Sequence, residues 1–192
     1  MKRMLIRRLA VIAMLVILLN SGLVSAGSPP QKGGVLPEIN LAVPKNPTHR
    51  NYLGLSGGGL FRIPQIKAEV VIIEIFSMYC PYCQNEAFRV NDLYQIIEKT
   101  QKMKGRVKLI GIGAGNTPFE VDIFRNNYKI PFPLFSDGDF SIHKSLGEVR
   151  TPYFIGIRIK DNGTHEVFYS KLGGFKEADD FLELMLKLSG SK

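Results

Sequence analysis

The chain has 192 residues, with 25 Lys/Arg against 17 Asp/Glu for a formal net charge of +8, and only two cysteines. Lys2, Arg3, Arg7 and Arg8 supply four of those charges and the rest are interspersed with acids, so no basic stripe argues for a nucleic-acid partner. The three histidines, His49, His143 and His165, lie far apart and do not pair with the cysteines at zinc-ligand spacing.

The first 26 residues read as a secretory signal. A basic start is followed by an apolar run from Leu9 to Leu19 and by Val24-Ser25-Ala26 before a cut after Ala26. Eleven apolar residues fall short of the roughly 20 that span a bilayer, although residues 5–24 could serve as a retained anchor. Either way the body is expected to be exported, to a periplasmic or other extracytoplasmic compartment that permits disulfide exchange. Residues 27–50 hold Pro29, Pro30, Pro37, Pro44 and Pro47 and predict an extended leader. Residues 51–192 suit a single domain with its own core, expected as a monomer.

Within that domain, two apolar pieces between Tyr52 and Ile63 flank Ser56-Gly57-Gly58-Gly59 and predict a hairpin. The glycines lack the Lys-Ser/Thr of a phosphate-binding loop. Glu69–Phe76 is a near-continuous β-branched run, the pattern of a strand buried on both faces. A helix over 81–103 follows, with Ala87, Val90, Leu93 or Tyr94, and Ile97 at helical spacing, then a second buried strand over 107–112. The turn Gly111-Ile112-Gly113-Ala114-Gly115-Asn116 misses the third glycine of a dinucleotide fingerprint. It is better explained by the helix it opens, with Thr117 as cap, Pro118 in the first turn and Glu120 completing a capping box. That helix runs to about Tyr128. A short extended piece over 130–135 and a small helix capped by Asp139 come next. Strands over 153–159 and 166–170 turn around Asp161-Asn162-Gly163, and Gly173-Gly174 precedes a last amphipathic helix bearing Phe181, Leu182, Met185 and Leu188. Strands joined by a helix lie parallel and hairpin strands antiparallel, which predicts a mixed sheet with helices on both faces.

The chemistry concentrates at Cys80-Pro81-Tyr82-Cys83, between the first buried strand and its helix. A cysteine delivered to a helix N-terminus meets the positive end of the dipole and free N–H groups, which favour the thiolate. A second thiol one turn on can close a disulfide with it. As a structural staple so short a loop is weak, worth about 2 kcal/mol by chain entropy, so a redox centre is the stronger reading. No cofactor is called for.

The buried strand leading into Cys80-Pro81-Tyr82-Cys83, the element order and Thr151-Pro152 before a later strand resemble the thioredoxin fold. Within it the chain looks like the TlpA/ResA-type exported thiol–disulfide oxidoreductases over roughly residues 50–190. The fold class implied is α/β and thioredoxin-like: a central mixed sheet flanked by helices, an N-terminal β-hairpin, and an inserted helix and strand at 116–118 and 130–133. The chain departs from the commonest pattern with Tyr79 where a tryptophan is usual and with a Pro-Tyr dipeptide shared with glutaredoxins. The resemblance implies that Cys80 attacks a partner disulfide and that Cys83 resolves the mixed disulfide. Glu74 falls where thioredoxins keep a buried acid, and Glu86 matches an acid of ResA-type proteins. Pro152 is expected after a cis peptide bond, with the Thr151 backbone pairing an extended partner and Phe76, Tyr79 and Tyr82 forming an apolar rim. The expected role is reduction of oxidised partner proteins, supplied by a membrane electron donor. The same chemistry run backwards gives a disulfide-forming oxidase. A copper carrier using the cysteines and one histidine is a different class, and a thiol peroxidase finds only Ser77 of its Pro and Thr/Ser set.

Overall fold

The computed structural model describes residues 27–191, so the signal and anchor expectations for residues 1–26 lie outside the described residues. In chain order the elements are β1 (Asn40–Ala42), α1 (Pro47–Tyr52), β2 (Leu60–Arg62), a 3-10 turn (Ile63–Gln65), β3 (Val70–Phe76), α2 (Pro81–Lys99), β4 (Val107–Ala114), α3 (Pro118–Tyr128), β5 (Leu134–Asp137), α4 (Ser141–Ser145), β6 (Tyr153–Ile159), β7 (His165–Leu172) and α5 (Ala178–Ser189). The thioredoxin-like α/β architecture is as expected.

The β-branched run forms β3 at the centre of a five-stranded sheet of order β5-β4-β3-β6-β7, parallel to β4 and antiparallel to β6. Every residue of β3 is buried, as a strand covered on both faces requires. Alternation sends Val71, Ile73 and Ile75 into a core shared with Leu36, Ile39, Leu41, Leu53 and Phe61. Val70, Ile72 and Phe76 enter the opposite core, beneath α2, α3 and α5, with Cys83, Val90, Leu93, Phe124 and Phe181. Glu74 has the parity of this second set, so its carboxyl is carried under the helix that bears the cysteines.

Several boundaries differ from the sequence reading. The 27–50 segment is not a bare leader. Leu36, Ile39 and Leu41 are core residues, and β1 pairs antiparallel with β2 (Leu41 opposite Phe61). The antiparallel pair therefore forms across α1 rather than across Ser56–Gly59, because residues 47–52 take a helix capped by Asn46. Upstream, Gly33 donates to the Val167 carbonyl and Gly34 accepts from the Val167 N–H, both at 2.8 Å, so this segment straps the outer edge of β7. Leu36 N–H donates to Nε2 of His165 (3.2 Å), and Gly147 packs against Gly27 and Ser28 with no room for a side chain. The helix after the cysteines stops at Lys99, since Thr100 is extended. β5 begins at Leu134, because Pro131 and Pro133 have no N–H for a ladder. Buried Asp137, rather than Asp139 alone, anchors α4 by accepting from Ile142 and His143 N–H at 2.9 and 2.8 Å. The capping box forms as expected: Thr117 N–H donates to Glu120 Oε2 at 2.7 Å and Thr117 Oγ1 accepts from Glu120 N–H.

Candidate active site

β3 ends at Phe76, and the chain makes one tight turn, Ser77 carbonyl to Cys80 N–H at 3.0 Å, before Pro81 starts α2. Cys80 is thereby the N-cap residue, with extended backbone (φ −86°, ψ 113°), and Pro81 occupies the first helical position where no N–H is missed. Both cysteines are free thiols; Cys80 is partly exposed and Cys83 fully buried. The Cys80 Sγ donates to the Thr151 carbonyl at 3.4 Å. Burial pushes the Cys80 thiol up, but the Thr151 side chain, the Cys83 N–H and thiol, and the Tyr82 N–H together outweigh it and bring the thiol below its ordinary value. Cys83 goes the other way. Burial foremost, and the nearby Glu74 and Cys80 with it, push its thiol far up despite the Ser77 N–H. The pair is thus chemically unequal: the surroundings favour the thiolate at Cys80 and the protonated thiol at Cys83.

Glu74 is buried, and its Oε1 has no hydrogen-bond partner among the described residues. Burial first, then the charges of Glu86 and Cys80, raise its carboxyl to about 8. Glu86 is also buried, but engaged. Its carboxylate accepts from Phe175 N–H at 2.8 Å and from Arg89 at 3.3 Å, and it fills the space where Gly174 has no side chain.

Thr151 and Pro152 lie beside Cys80, and the peptide bond between them is cis. Tyr79 and Tyr82 are 66% and 74% exposed on either side of Cys80. Phe76 does not join them. It is fully buried and stacks on Phe124 with ring centres 4.6 Å apart, because its parity points into the helix-covered core. The histidines of the copper alternative are occupied elsewhere: His143 Nε2 donates to Val149 O at 2.8 Å, and His165 accepts from Leu36. Among the described residues no group of three His, Cys, Asp or Glu could hold a metal ion.

The sequence reading missed the residues that hold the turn before Cys80. Asn116 Oδ1 accepts from Met78 N–H at 2.9 Å, Gln84 Nε2 donates to Met78 O at 2.8 Å, and the Tyr79 hydroxyl donates to Glu120. In the sequence Asn116 is only the residue that spoils a glycine fingerprint, and nothing local to it signals a contact 38 residues away.

The model of the AhpC/TSA family matches residues 45–165. No curated protein matches the chain. Among solved structures, the chain is similar to a secreted Mycobacterium tuberculosis disulfide oxidoreductase homologous to E. coli DsbE, at 17% identity and a TM-score of 0.52 over 68% of this chain and 90% of that one. It is similar to StoA from Bacillus subtilis at 21% and 0.52, over 66% and 88%. It is likewise similar to a thiol-disulfide isomerase from Corynebacterium glutamicum at 21% and 0.55, over 81% and 97%. At these identities the likeness establishes the fold.

Proposed function

The chain belongs to the AhpC/TSA family, and from that premise we propose that it is an exported thiol–disulfide oxidoreductase that reduces disulfides of partner proteins through Cys80 and Cys83. The observation that carries this is the inequality of the two thiols on one helix turn, with a buried carboxyl beneath them whose Oε1 has no hydrogen-bond partner among the described residues.

The Cys80 thiolate attacks one sulfur of a partner disulfide. A Cys80–partner disulfide forms, and the other partner sulfur leaves as a thiolate. Cys83 then attacks Cys80 Sγ, gives its proton to Glu74, and expels the second partner thiolate. Two electrons have passed to the partner, and Cys80–Cys83 is left as a disulfide for a membrane electron donor to reduce. The Cys80 thiolate is one of the charges that keep Glu74 protonated. Its conversion to a neutral mixed disulfide removes that charge, so Glu74 releases its own proton, which the first departing partner thiolate takes up, and stands as the carboxylate that accepts from Cys83. Exposed Tyr79 and Tyr82 supply an apolar rim for the partner, and the Thr151 backbone supplies pairing groups.

The test is trapping. Incubated with a disulfide-bearing protein, the Cys83→Ser chain should accumulate a covalent adduct through Cys80, while Cys80→Ser should form none and lose all exchange. Equal residual turnover by both variants would sink the assignment. A reduction potential measured against glutathione decides between reductase and oxidase, since thioredoxin-like centres span about −270 to −120 mV.

A further inference from the structure

The turn from Ser77 to Cys80 is gripped from outside at both polar groups of one residue. The Met78 N–H reaches Asn116 at the β4–α3 corner, and the Met78 carbonyl receives Gln84 from the first turns of α2. Here two side chains from separate elements hold them, so the Met78 peptides cannot rotate without breaking one contact. Asn116 is fully buried, its own N–H is fixed on the Gly113 carbonyl at 3.1 Å, and Gly113 makes room for it: a Cβ there would stand 3.0 Å from Oδ1. The same corner holds the turn a second time through Tyr79 and Glu120.

We propose that Asn116 is a positioning residue for Cys80: by clamping Met78 it fixes the turn that aims the Cys80 sulfur at the Tyr82 and Cys83 N–H groups and at Thr151. The sulfur depends on that aim, because the hydrogen bonds favouring its thiolate are short-ranged and come from groups fixed on α2 or at residue 151. Cys83, one helical turn on and buried in the core, does not depend on it. The assignment rests on the proposed nucleophilic role of Cys80 and adds a residue to it.

The test reads thiol chemistry directly, without a partner. Thiolate absorbance and iodoacetamide alkylation are followed against pH in the reduced parent chain, in Asn116→Ala and in Gln84→Met, with thermal unfolding alongside. Asn116→Ala should raise the Cys80 pKa by about one unit and slow alkylation at neutral pH about tenfold. Gln84→Met, which cuts the other side of the clamp from a helix surface, should shift it the same way by a smaller amount. A folded Asn116→Ala chain with the parent titration overturns the proposal. If that variant does not fold, a parent-like titration in Gln84→Met overturns it instead. A parent chain whose Cys80 is not depressed at all would overturn the redox reading itself, so the two failures are distinguishable.

Discussion

Glu74 and Cys80 pull in opposite directions along the pH axis. The Glu74 carboxyl is raised from an ordinary 4.5 to about 8, foremost by burial, so between those values the folded chain holds a proton that the unfolded chain has lost. Its stabilising contribution is complete below about pH 4.5 and fades as pH climbs through 8, amounting to a few kcal/mol on an order-of-magnitude basis. Urea unfolding of parent and Glu74→Gln at several values between pH 5 and 8 should show the parent losing stability with rising pH and the variant following a flatter line. The same substitution should slow release of the partner from the mixed disulfide about a hundredfold at pH 8 and abolish the rise of that step with pH, which in the parent lies below 8 because the Cys80 charge is then gone. An unaltered pH–rate curve in Glu74→Gln would remove the carboxyl from the resolving step. Glu86 belongs to a different class of acid: its bonds to Phe175 N–H and Arg89 make it an anchor for the loop before α5 as well as a charge acting on Glu74.

At the scale of single elements, α1 completes the sheet. β5 pairs with β4 only from Gly111 onward, so the edge of β4 before that residue would be open, and the Tyr52 hydroxyl accepts the Leu109 N–H there at 2.8 Å. The Tyr52 ring also carries the ammonium of buried Lys108, 4.1 Å from its centre. Tyr52→Phe keeps the ring and removes the acceptor, leaving a buried N–H unsatisfied. A loss of about 1–3 kcal/mol is expected, read as a fall in Tm of several degrees; an unchanged Tm would show that water takes the place of the hydroxyl. Elements written in local pattern were legible from the chain: β3 from its β-branched run, α3 from Thr117 and Glu120, and the reactive pair from its place between strand and helix. Contacts made at a distance were not. Three residues of β1 give too short a pattern to reveal Phe61 as Leu41's partner. Asp137 could not be preferred over Asp139 before the end of β5 was known. Asn116 acquires its meaning only when β3 and β4 lie side by side.

Across the whole molecule, residues 27–42 belong to the body. Leu36, Ile39 and Leu41 are each under a tenth exposed, and burying such side chains contributes roughly 1.5–3 kcal/mol apiece. A chain begun at residue 45, where the family match begins, should therefore lose on the order of 5 kcal/mol and expose one core and the β7 edge. Chemical denaturation against the chain begun at residue 27 measures this, and equal midpoints would show the strap to be dispensable. The strap also fixes where upstream sequence joins the body. Gly27 and Ser28 pack on Gly147, four residues before Thr151, a separation the chain can stretch to no more than about 14 Å. In the oxidoreductase we propose, a retained leading segment would then hold the cysteine pair close to whatever that segment is seated in, and a cleaved one would set the pair free to diffuse.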